Sequence, residues 1–98
     1  MKREEFIFTI GYQGKTAIVD GQALKKYRGL STMELADKGL FRAAFCSAVY
    51  DDDMESISKI ILKYNEKSGS SYTAPEDLKR LFGVFEVPEE IEKVKTLS

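Results

Sequence analysis

The spacing of apolar residues changes twice along the chain. Phe6-Ile7-Phe8-Thr9-Ile10 is aromatic and β-branched, and Thr16-Ala17-Ile18-Val19 repeats that character after the glycine-containing stretch Gly11 to Lys15. Two such runs joined by a short glycine loop predict a β-hairpin. Asp20-Gly21 then suits a two-residue turn with positive φ, which predicts a third strand over 22–27; the run Gln-Ala-Leu-Lys-Lys-Tyr fits one and a half turns of helix equally well.

From Leu30 onward the apolar period lengthens to that of helices. Ser31 stands as an N-cap with Glu34 three residues on, and leucines at 30 and 35 frame the pair, so capping box and hydrophobic staple coincide. Gly39 is placed to end this short helix after Lys38. Leu40 to Tyr50 is apolar on nearly every side, which a helix tolerates only when other elements enclose it. Asp51 to Asp53 stop that helix and cap the next, whose Met54, Ile57, Ile60, Ile61 and Tyr64 form one stripe. Lys67 to Ala74 reads as a flexible connection, Pro75 opens another helix that Gly83 ends, 84–87 reads as extended, and Pro88 begins a last helix edged by Ile91, Val94 and Leu97. The pattern is α+β: an N-terminal antiparallel β-hairpin or three-strand meander packed on four to five short helices, with a central apolar helix at about 40–50.

Length changes this picture little, because 98 residues suit one domain over 1–98 with a modest core. Composition matters more. The chain is 43% hydrophobic and 32% charged, as in soluble globular proteins, and no apolar run is long enough to cross a bilayer. Acidic residues follow the basic ones in MKREEFIFTIGY, unlike a secretory leader, and a single cysteine suits the reducing cytoplasm. Charge is uneven: residues 1 to 49 carry eight Lys/Arg and five Asp/Glu, and residues 50 to 98 carry seven against eleven.

Candidate chemistry is sparse. There is no histidine, so the usual general base and the commonest transition-metal ligand are both missing, and one cysteine cannot complete a zinc site. The GYQGKT stretch imitates a phosphate loop, but only two residues separate Gly11 from Gly14, where the P-loop needs four, and a strand rather than a helix follows. The triple aspartate lacks the alternating ligands and central glycine of a calcium loop and reads as helix capping. Cys46, on the most apolar helix, reads as a core residue rather than a nucleophile. A helix-turn-helix reading fails because the helix over 40–50 offers a DNA groove little beyond Arg42 and Ser47.

Two surfaces remain. Tyr12 and Lys15 sit on the hairpin loop, where an exposed aromatic and an open strand edge suit contact with another chain. Lys25, Lys26, Tyr27 and Arg28 form the one basic cluster with an aromatic inside it, a pattern that suits phosphates and base stacking. These features point to a small non-enzymatic interaction or regulatory module, with a protein partner or a homodimer, no cofactor, no metal and no membrane association. The alternatives are a nucleic-acid-binding accessory protein using 25–28, and a small carboxylate-dependent enzyme.

Overall fold

The structure, a computed structural model, describes residues 1–98. The elements in chain order are α1 (Arg3–Ile7), β1 (Thr9–Gln13), β2 (Thr16–Asp20), α2 (Gly21–Tyr27), α3 (Thr32–Asp37), α4 (Phe41–Tyr50), α5 (Met54–Ser68), α6 (Pro75–Phe82) and β3 (Lys93–Leu97). The class is α+β: six helices and one mixed three-stranded sheet in the order β1-β2-β3.

The hairpin forms, but its first strand starts later than its apolar run. Phe6 and Ile7 end α1 instead, because in that single helical turn both side chains reach the core and are buried. The turn between β1 and β2 is the two residues Gly14 and Lys15, with Gly14 at φ +58°. A positive φ at the first turn position and none at the second is the type II′ geometry, in which glycine takes the first place. Ile10 is the extra residue of a bulge: Thr9 faces Val19 and Gly11 faces Ile18, leaving Ile10 with no partner across the ladder.

The third strand does not come from 22–27. Asp20 closes β2 and caps α2, its Oδ1 accepting the N–H groups of Gln22 and Ala23 at 3.1 Å each. Asp-Gly serves here as helix start rather than hairpin turn, because carboxylate caps and turn aspartates use the same short side chain. The third strand is supplied by Lys93–Leu97, which lies parallel to β2 with Ala17 opposite Val94 and Val19 opposite Thr96. That corrects the helix expected after Pro88. The spacing of Ile91, Val94 and Leu97 mimics a helical edge, but strand pairing across the chain decides the conformation, beginning where Lys15 O accepts from Glu92 N (2.8 Å) and Lys93 N (3.3 Å).

Gly21 couples this strand to α2. A Cβ at that position would lie 2.4 Å from Leu97 O and 2.7 Å from Thr96 Cγ2, so only glycine lets the helix start so close to the backbone of β3.

From Ser31 to Gly83 the helices follow the expected order. Ser31 caps α3: its Oγ accepts from Glu34 N at 3.2 Å while Glu34 Oε1 accepts from Ser31 N at 3.0 Å. Gly39 and Gly83 take left-handed φ after α3 and α6. Asp53 caps α5 through Ser56 N at 3.1 Å and Ser56 Oγ at 2.7 Å. The core centres on α4, where Ala44 to Ala48 are all buried, against Val19 of the sheet, Leu35 of α3, Ile57, Ile60 and Ile61 of α5 and Leu78 of α6.

Three polar side chains inside this assembly are mutually satisfied. Ser47 Oγ lies 2.6 Å from Thr32 Oγ1 and accepts from Arg3 Nη2 at 2.7 Å, and the same nitrogen donates to Leu30 O at 2.9 Å. The guanidinium thereby ties α1 to α3 and α4, and no buried side-chain nitrogen or oxygen lacks a partner.

Candidate interaction surface

The open edge of β1 is the first part of this surface. Pairs in an antiparallel ladder alternate between hydrogen-bonded and non-hydrogen-bonded, and the pair flanking a two-residue turn is bonded. Gln13 and Thr16 form that pair, so the next, Tyr12 with Ala17, is non-bonded, and Tyr12 directs its own N–H and C=O away from β2. At the other end the edge is closed: Thr9 O accepts from Arg42 Nη1 at 2.7 Å, and Arg42 Nε donates to Phe82 O at 3.3 Å. The accessible edge therefore runs from the bulge to the turn. Two large side chains stand beside it, Ile10 at 60% exposed and Tyr12 at 44%.

Tyr12 is not at the loop tip. Pairing with the buried Ala17 puts its ring on the core side of the sheet, at the margin. Burial pushes its phenol above the ordinary 10.0, helped by Cys46 nearby, while Thr9 and Arg42 pull the other way. Lys15 occupies the second turn position, and its Nζ lies 3.5 Å from Glu92 Oε1 with both side chains largely in water. That pair contributes little to stability; the backbone carbonyl of Lys15, which starts β3, contributes more to the architecture.

The two edges of the sheet carry different chemistry. β3 presents Lys93 and Lys95, the charges with which exposed strands commonly resist pairing, whereas Thr9-Ile10-Gly11-Tyr12-Gln13 has no charge at all.

The basic segment lies elsewhere. Lys15 is at one end of β2 and α2 begins at the other, five residues away at about 3.3 Å each, so Tyr12 and Lys15 do not form one patch with Lys25 to Arg28. The segment itself is divided. Tyr27 turns inward and stacks on Phe8 with ring centroids 6.4 Å apart, and Lys26 Nζ sits 5.4 Å from the Tyr27 ring centre. Lys25, in the last turn of α2, and Arg28, just after it, face a groove between α1 and α2 that Lys2, Glu4 and Glu5 also line.

No family model, curated protein or solved structure matches this chain.

The remaining reactive groups have structural surroundings. Cys46 is buried, and desolvation pushes its thiol to about 11 despite the opposing pull of Arg42, so the nucleophilic thiolate is scarce at neutral pH. Of the triple aspartate, Asp53 is the helix cap, while Asp51 and Asp52 point into water. No group of three or more acidic or cysteine side chains is gathered within metal-binding reach, and no helix is long and apolar enough to cross a membrane.

Sequence reading singled out Tyr12 and Lys15 as candidates and passed over Ile10, Arg42 and Lys2. Ile10 looks like an ordinary strand residue until the bulge sets it free. Arg42 gave one signal, being the single charge within the apolar run from Leu40 to Tyr50.

Proposed function

We propose that the protein is an interaction module that takes an extended segment of a protein partner along the open edge of β1. The observation that carries this reading is the uncharged, accessible stretch from Ile10 to Gln13, flanked by two exposed large side chains, on a sheet whose other edge bears lysines. An added strand would receive backbone hydrogen bonds at Tyr12 and pack against Ile10 and the Tyr12 ring, the division of labour found when a peptide extends a sheet. The edge is short, so the contact is a transient one in which Ile10 and Tyr12 supply most of the binding. A second copy of the chain offers the same edge and can pair with it about a two-fold axis.

Ile10→Lys tests this without disturbing the core, because the side chain already stands in water. Sedimentation over a range of concentrations reads self-association, and capture from source-cell extract reads other partners, each with the native chain and the variant. The expected result is an association that the lysine abolishes while the melting temperature stays unchanged. A strict monomer with no captured protein that depends on Ile10 would end this reading.

A further inference from the structure

We propose that the groove between α1 and α2 binds a small phosphate-bearing molecule. This groove of about 600 Å³ has one apolar residue in its lining, Leu24, so it is made for a strongly polar ligand. Three cations border it: Lys2 just before α1, Lys25 in the last turn of α2, and Arg28 immediately after that helix. None of the three forms a salt bridge. The two carboxylates in the lining are engaged within α1: Glu4 Oε1 lies 2.8 Å from Arg3 Nη1, and Glu5 Oε1 accepts from Lys2 N at 2.8 Å. Three cations without a carboxylate partner thus face one carboxylate, Glu5, that no side chain neutralises.

The geometry of the groove is held from below. Gly21 sets the start of α2 against Thr96 and Leu97 of β3, which fixes the helix that carries Lys25 and leads into Arg28. An arginine fork with one flexible ammonium group beside it and another on the α1 side suits a phosphate, which can take paired N–H donors from Arg28 and single contacts from Lys25 and Lys2. Phosphate chemistry could come from a free metabolite or from a nucleic-acid backbone. The metabolite is favoured because the neighbouring ring of Tyr27 is already stacked on Phe8 and covered by Lys26, leaving no prepared platform for a base.

The experiment titrates isotope-labelled full-length protein with inorganic pyrophosphate and, separately, with a single-stranded oligonucleotide, following backbone amide resonances. The expected outcome is saturable movement of Lys2, Lys25, Arg28 and Thr96 with pyrophosphate. The double variant Lys25→Gln, Arg28→Gln should weaken it about tenfold or more, while Lys38→Gln, on an exposed residue outside the groove, leaves it unchanged. Shifts that do not saturate, or that Lys38→Gln reduces equally, would overturn the proposal, since they would report diffuse attraction to surface charge. An oligonucleotide that moves the same amides and displaces pyrophosphate would overturn the assignment to a small molecule and place the phosphate in nucleic acid.

Discussion

At the scale of single residues, the signals that were legible before folding are those whose chemistry is closed within a few positions. Ser31 and Glu34 satisfy each other's backbone N–H groups, and nothing distant competes. Asp53 is equally local but one-sided, its carboxylate accepting both the N–H and the hydroxyl of Ser56. Ser31→Ala should therefore cost about 1 kcal/mol of stability at neutral pH. Its dependence on pH adds a sharper test. The Glu34 carboxyl is held below its ordinary range, first by the Ser31 N–H and next by the Ser31 hydroxyl. A depressed folded value means that this part of the stability is present above the unfolded carboxylate pKa, about 4.3, and is lost as pH falls through the lowered folded value. Without the hydroxyl the folded value moves back up and less is left to lose, so the gap between native and variant should narrow in acid. Denaturant titrations of both proteins from neutral pH down through the carboxylate range would show this; a gap that widens would mean that Ser31 does not act on Glu34.

At the scale of elements, local pattern misled wherever a segment's conformation is set by what it touches. Phe6-Ile7-Phe8 has strand composition, but one turn of helix buries Phe6 and Ile7 together, which an alternating strand could not do. In Lys93–Leu97 only Val94 turns toward the interior, so the segment carries almost no hydrophobic signal of its own and owes its form to a parallel partner 77 residues earlier in the chain. Asp20-Gly21 was ambiguous for a different reason: both residues suit a turn, and the glycine is in fact needed for its missing Cβ. Gly21→Ala should displace β3, because the new methyl meets a backbone carbonyl that cannot swing aside. Hydrogen exchange gives the readout, with faster exchange at the Lys93 to Leu97 amides and at the start of α2, while amides in α4 and α5 keep most of their protection. Unchanged protection in β3 would show that the sheet accommodates the methyl.

At the scale of the whole molecule, the core was more legible than the surface. Enclosure of Leu40 to Tyr50 could be inferred from its composition, since an all-round apolar helix has no other stable place. The surfaces depend on residues far apart in sequence, Lys2 with Arg28 and Arg42 with Thr9, and no local pattern announces either pairing. Phe45 tests the central claim about the core. It is fully buried at the middle of α4, its ring centre 5.8 Å from that of Phe82, within the cluster that joins the sheet to α3, α5 and α6. Phe45→Ala removes a ring that several elements share, and close packing around it prevents full collapse into the space left, so the expected loss is about 3 to 5 kcal/mol. A chain of this size commonly has about 5 to 10 kcal/mol in all, which leaves the variant marginal or unfolded near body temperature. Thermal melting followed by circular dichroism should show a midpoint lowered by tens of degrees, with roughly 4 to 8 °C for each kcal/mol in a domain this small. A midpoint within a few degrees of the native protein would mean that α4 is not the element around which the other helices and the sheet are built.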